Sequence, residues 1–447
     1  MWALGYDGSR TELWGALADH FGSNAPPLEP THFRVIAQNG GKVKIACRAP
    51  AGATAYRLYH SLDGKEFEVL ADFPSADIEL TRLEPRRIHY FQLSALNGNG
   101  ESPKTEVLAA VPDSVAPRVL IVNGFDRMSE GGNTRDFVIH HGCSMWRAGV
   151  GFSSASNEAV QDGDVSLAAY DVVNWILGEE GTADETFSDR EQRVVADYLE
   201  SGGMLFVTGS EIGWDLEAKG SANDTAFYHT YLKARYVKDK VADWTVEGVA
   251  GSIFEGLAFA YDDGTHGIYS VSYPDGIEPV GGRRACLRYN ADYVAGVQYE
   301  GTFGDGQTPG KLVYLGIPFE TIYPQAARDS VMARVLAFFG AVPTGLEAPS
   351  SSTVPEQFAL SPAFPNPFNS STTLELKVPR KTYVGITVRD VLGRKLRTLM
   401  PPGTILGPGR FRVRWDGRDD AGRSVPSGTY LLVVRSREQV LTRRVTL

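Results

Sequence analysis

The 447-residue chain has little cysteine: only Cys47, Cys143 and Cys286. An odd, widely spaced set excludes a disulfide framework and a metal knuckle, so each reads as a small buried hydrophobe. No apolar run reaches the ~18 residues that a membrane-spanning helix needs. Positive charge is also short, with 44 Lys and Arg against 54 Asp and Glu, a net charge of -10. No basic surface dominates, which argues against a nucleic-acid partner. Only Arg435, Arg443 and Arg444 form a locally basic stretch, and they read as solvated strand edges. The opening "MWALGYDGSRTELW" has neither a basic start nor a small-residue cleavage site, so it is not a signal peptide.

Glycine and proline are plentiful, 48 and 25 residues, and they divide the chain into segments. Residues 1–22 read as one strand and one helix, with Thr11 as N-cap, Leu13, Trp14, Leu17 and Phe21 on one face, and Gly22 as the stop. A unit this small cannot bury its own apolar face. It resembles the last strand and helix of the barrel in family 18 glycoside hydrolases, with Trp2 in the place of the tryptophan that floors their sugar subsite. Their acidic DxxDxDxE-type strand occurs nowhere in this sequence. The expectation is a remnant of a truncated barrel, the chain being the C-terminal part of a longer protein.

After the linker "SNAPPLEPTH", residues 30–113 alternate apolar and polar in seven short runs separated by turns such as "SLDGKEF" and "LNGNGES". That pattern predicts a β-sandwich. The stretches "YRLYHSLDGKEF" and "LEPRRIHYFQLSALNGNGES" resemble fibronectin type III domains, which implies a spacer or binding module without chemistry.

Residues 116–342 change period. "PRVLIVNGFD", "YDVVNWILGEE", "GGMLFVTGSEIGWD" and "GKLVYLGIPFE" are continuous apolar runs ending in Gly and acids. Amphipathic patterns lie between them, notably "SDREQRVVADYLESGG", with Ser188 and Glu191 spaced as a capping box. Buried strands alternating with helices predict a doubly wound parallel α/β sheet, flavodoxin-like, whose ligands bind beyond the carboxyl ends of the strands. This domain resembles class I glutamine-amidotransferase-like folds through a glycine-framed elbow and the late "GIPFE". The family's elbow holds a cysteine, whereas the corresponding position here is Glu211 within Gly209-Ser210-Glu211-Ile212-Gly213. The resemblance is therefore to a degenerate member, and Cys-His amidotransferase chemistry is not expected.

The acids at the strand ends remain. Glu211, Glu320 and Glu179 are the candidate catalytic residues. Asn123, Asp126, Glu180, Asp215, Trp214 and His266 are the candidate ligand-binding residues, and Arg127 or Arg135 would enter the same crevice. Converging carboxylates repel, so one holds its proton unless a cation sits among them. Two would serve as acid and base in hydrolysis, including that of glycosides. The alternative is that they cap helices and finish turns. No cofactor is called for, although an oxygen-rich site also suits calcium. Phe227, Tyr231 and Leu232 read as core. Trp175 and Trp214 lie near the acid-bearing ends, and each reads either as core or as a stacking surface for a sugar ring.

Residues 343–356 form a Pro/Ser/Gly-rich linker, and residues 357–447 read as a second β-sandwich, Ig-like. "PNPFN", "TTLELKVP", "VGITVRDVLGRKLRTL" and "WDGRDDAGRSVPSGTYLLVV" resemble the C-terminal sorting domains of proteins exported by the type IX secretion route, and the Ig-like domain of flagellar hook-capping proteins. Pro365 and Pro367 pin a turn, Asn366 and Asn369 satisfy loop backbone groups, and Trp415 goes to the core. The resemblance implies an address read by the type IX export machinery and a secreted or cell-surface location. The whole reads as a multidomain surface protein associated with glycan or cell-wall processing, with polysaccharide or peptidoglycan as partner. A hydrolase and a non-catalytic structural protein are the alternatives.

Overall fold

The structure is a computed structural model. It describes residues 25–447 apart from 129–131, 282–283, 342–345, 348–356, 369–371, 381, 407–408, 421–422 and 437–438. The expected barrel remnant at residues 1–22, nearly all of the 343–356 linker and Asn369 lie outside the described residues.

The chain is multidomain and mostly β-sheet. The first sandwich has strands β1 (Thr31–Gln38), β2 (Lys42–Arg48), β3 (Ala55–Ser61), β4 (Glu68–Phe73), β5 (Asp77–Leu80), β6 (His89–Asn97), β7 (Gly100–Glu101) and β8 (Leu108–Ala110). One sheet runs β1-β2-β5; the other runs β4-β3-β6-β7, with β8 also paired to β6. Period-2 patterning drives this packing: in β1, Phe33, Val35 and Ala37 are buried while Arg34, Ile36 and Gln38 are only partly so.

The next unit holds β9 (Val119–Asn123), β10 (Ser153–Ser156), β11 (Val172–Gly178), β12 (Met204–Gly209) and, after an excursion, β19 (Gly310–Leu315). These five are parallel, in the order β10-β9-β11-β12-β19. Alternate residues face two separate cores. Val119, Ile121, Val172 and Ile176 pack with the helices Val138–Arg147 and Gln325–Phe339. Leu120, Val122, Val173 and Trp175 pack with Asn157–Gln161, Asp189–Glu200 and Ala222–Thr230. Covered on both faces, the strands must be apolar throughout, which explains the continuous runs. The Ser188–Glu191 capping box forms.

Three features differ from expectation. β10, "SSAS", has no bulky apolar residue and carries no hydrophobic signal, yet it is buried. Between β12 and β19 the chain adds mainly antiparallel strands: β13 (Ala234–Lys238), β14 (Thr245–Gly248), β15 (Ala258–Tyr261), β16 (Gly276–Pro279), β17 (Arg284–Arg288) and β18 (Val294–Gly301). The sandwich is also not a separate bead on a linker. β1 pairs antiparallel with β10, so β1, β2 and β5 extend the central sheet. The serines of β10 serve that junction: Ser153 Oγ accepts the Ala37 N–H at 3.0 Å, and Ser154 Oγ bridges the N–H and C=O of Ala109 at 2.7 Å each.

The last unit has two four-stranded antiparallel sheets over two hydrophobic clusters, with Trp415 fully buried in the second. Asn366 donates to the Arg444 carbonyl at 3.1 Å and accepts the Thr446 N–H at 2.8 Å.

Candidate functional site

Strands β9, β11, β12 and β19 end on one edge of the parallel sheet, and the loops that follow carry most of the candidate residues. Arg127, from the loop after β9, lies between the other two loops. Its Nη1 donates to Glu211 Oε2 at 3.1 Å and to the Glu179 carbonyl at 3.0 Å. Glu211 lies against the Gly181 backbone, where a Cβ would stand 3.1 Å from its Oε2. Burial raises the Glu211 carboxyl pKa, and the Arg127 charge opposes that rise. Glu179 accepts the Ser272 N–H at 3.2 Å. Burial, with help from Glu211, pushes its pKa to about 7, although Arg127 and the Ser272 contact pull the other way. Glu179, Glu211 and Arg127 therefore do come together, as one carboxyl poised near neutrality beside a clamped carboxylate.

Glu320 does not join them in the open. It is fully buried in the core on the other side of the loops. Its Oε2 lies 3.2 Å from His141 Nε2, and its Oε1 accepts from Tyr269 OH at 2.5 Å. His141 Nδ1 lies 2.8 Å from Asn174 Oδ1. The ring thus meets an oxygen at each nitrogen. Burial alone would raise the Glu320 pKa, but the His141 contact overrides it and the carboxyl sits below its ordinary value.

Several other acids hold the loops. Glu180 Oε1 accepts the N–H groups of Asp126 and Arg127. Asp126 accepts from Asn157 Nδ2 at 3.0 Å. Asn123 is buried at the end of β9. Asp275, which the sequence reading missed, is fully buried and accepts the N–H groups of Gly213 and Trp214 at 2.7 and 3.0 Å. It therefore occupies two backbone donors of the elbow, those two and three residues after Glu211. Asp262, also fully buried, accepts the N–H groups of Gly264, His266 and Ile268. The "YDDG" and "YPDG" turns were the available signal for these two residues.

The remaining candidates lie apart from the crevice. His266 is exposed and stacks on Tyr323 at 4.0 Å between centroids. Arg135 pairs with Glu29 and, at 3.5 Å, with Glu106 of the sandwich. Trp175 is fully buried. Trp214 and Asp215 line a different concavity, where Asp215 accepts from Thr186 N and Oγ1 at 2.9 and 2.7 Å. Convergence of all the strand-end residues on one crevice was expected; the structure divides them among a crevice, a buried network and a second concavity. Among the described residues, no group of three or more His, Cys, Asp or Glu is arranged to hold a metal ion. No described helix is long and apolar enough to cross a membrane.

No protein-family profile and no curated protein matches the chain. Solved structures similar to part of it are fibronectin type III domains. FN3tt is 25% identical, over 20% of this chain and 98% of that one, with a TM-score of 0.19. The sixth such domain of human fibronectin type III domain containing protein 3 is 21% identical, over 20% and 90%, at 0.19. A Fn3-like protein from Clostridium thermocellum is 19% identical, over 20% and 92%, at 0.18. At those scores nothing further is drawn from the likeness; the assignment of a β-sandwich rests on the pairing of β1 to β8.

Proposed function

We propose that this chain is the non-catalytic, ligand-binding or accessory portion of a secreted or cell-surface protein associated with glycan or cell-wall processing. On this reading the first sandwich is a spacer rigidly joined to a degenerate amidotransferase-like domain. The final sandwich is a type IX sorting address. One observation carries the non-catalytic part: the elbow position that would hold the nucleophile is Glu211, and its carboxyl is clamped by Arg127. Acyl-transfer chemistry needs a free nucleophile there. Sedimentation of the purified chain with peptidoglycan, chitin and other insoluble glycans tests the reading. Retention by at least one is expected, and recovery of the chain in every supernatant would refute it.

A hydrolase reading keeps one specific support. Glu179, whose pKa burial and the neighbouring Glu211 push up to about 7, is a carboxyl suited to act as a general acid. Glycan hydrolysis by the wild type that disappears in Glu211→Gln would favour this reading. Absence of turnover leaves the accessory reading standing, whereas turnover unchanged in that variant would count against both readings.

A further inference from the structure

The loops after β11 and β12 enclose a second concavity of about 670 Å³ beside the helix Asp189–Glu200. That size suits a small ligand. Phe187 and Trp214 supply its apolar surface, and Glu185, Asp189, Asp215 and Asp224 its charge. We propose that this cavity binds a protonated amino sugar, the ammonium held between the Trp214 indole and the carboxylates of Glu185 and Asp189. The inference rests on the glycan reading above and names a ligand class and a site for it.

The first argument is that the cation position is already in use. Lys219 Nζ stands 4.6 Å from the centroid of the Trp214 ring, within cation–π range. Lys219 is exposed, so its long side chain can swing aside for an incoming ammonium. The second argument is charge. Asp215 holds Thr186, and Asp224 accepts from Ser221 N and Gln192 Nε2 at 2.7 Å each. The side-chain carboxylates of Glu185 and Asp189 have no hydrogen-bond or ion-pair partner among the described residues. Arg190 is engaged by Asp162 at 2.6 Å. The wall is therefore acidic and repels carboxylates and phosphates, while an ammonium adds a charge attraction that a neutral sugar lacks. The third argument is hydroxyl recognition. Gln161 and Thr182 line the same cavity with no side-chain hydrogen bond among the described residues, and can meet hydroxyl groups. Glu185 is also held at φ 58°, a conformation costly for a side-chain-bearing residue and concentrated at functional sites.

Calorimetric titration of the full chain with the glucosamine trisaccharide, its N-acetylated counterpart and spermidine tests this. The amine trisaccharide should bind at least tenfold more tightly than the N-acetylated one and than spermidine. Trp214→Ala should weaken it at least tenfold, Trp214→Phe should retain part of it, and Lys219→Ala should tighten it severalfold by removing the internal competitor. Equal binding of the N-acetylated sugar or of spermidine would overturn the proposal, as would indifference to Trp214→Ala in a variant with unchanged thermal unfolding. Glycan sedimentation that survives while the trisaccharide titrations stay flat would reject this pocket and leave the broader reading intact. Trisaccharide binding dependent on Trp214, with no insoluble glycan retained, would do the reverse.

Discussion

Removing the Glu320 carboxyl is the sharpest test of the buried network. Glu320→Ala leaves His141 and the Tyr269 hydroxyl without their carboxylate acceptor inside the core. Stripping a buried donor of its acceptor costs about 1–3 kcal/mol, and both the ring and the hydroxyl lose theirs here. For a cooperative unit of this size, that lowers the unfolding midpoint by roughly 5–10 °C. Glu320→Gln keeps an acceptor for Tyr269 and should lose less, about 1–3 kcal/mol. The double variant His141→Phe/Glu320→Leu replaces the pair with apolar groups of similar size and should recover most of the loss, because an apolar substitute avoids the desolvation cost. Differential scanning calorimetry and urea unfolding of all four proteins supply the numbers. A loss under ~1 kcal/mol in Glu320→Ala, or a double variant no better than the single, would refute the argument that the pair is mutually dependent. The pH response follows in sign. The folded pKa of Glu320 is lowered, so its stabilisation is present above the ordinary carboxylate value and is lost as pH falls below it.

Glu179 has the opposite sign. With its pKa raised to about 7, its contribution is full at acid pH and is lost as pH rises through about 7, so Glu179→Gln should flatten the urea midpoint against pH between pH 5 and 8. The pairing of β1 with β10 predicts that the first sandwich and the α/β unit unfold in one calorimetric transition, and a Ser154→Val substitution that strips two hydrogen bonds should destabilise both together by about 1–3 kcal/mol; a sandwich that melts alone would contradict it. Gly178 is at φ 48° with a Cβ position 2.1 Å from Phe125, so Gly178→Ala should cost at least about 1–3 kcal/mol in urea unfolding. Ser188→Ala removes the capping box at the helix Asp189–Glu200 and should cost about 1 kcal/mol, read by the same method.

Much of the architecture was legible because local periodicity survives folding. The apolar runs of β9, β11, β12 and β19, the cap at Ser188 and the alternation in β1 each report a burial pattern that the residue itself must satisfy. β10 was not legible: four small residues carry no hydrophobic signal, and what makes them a strand is a neighbour on each side, β9 and β1. The site was legible by kind but not by grouping. Glu211 and Glu179 were identified as a pair of acids near one edge, yet nothing in their spacing announced Arg127 as the clamp between their loops. Asp275 and His141 were missed because their roles depend on groups 62 and 33 residues away in sequence.

The residues alone thus determined the long apolar strands and the capped helix, that charge disfavours nucleic acid, and that no cysteine stands at the elbow, because composition and period belong to short stretches of chain. Tertiary structure decided which acids share a crevice, which are sealed in the core, and that the sandwich continues the central sheet. Those outcomes depend on the pleat sending adjacent residues to opposite faces and on partners distant in sequence, and a local pattern encodes neither.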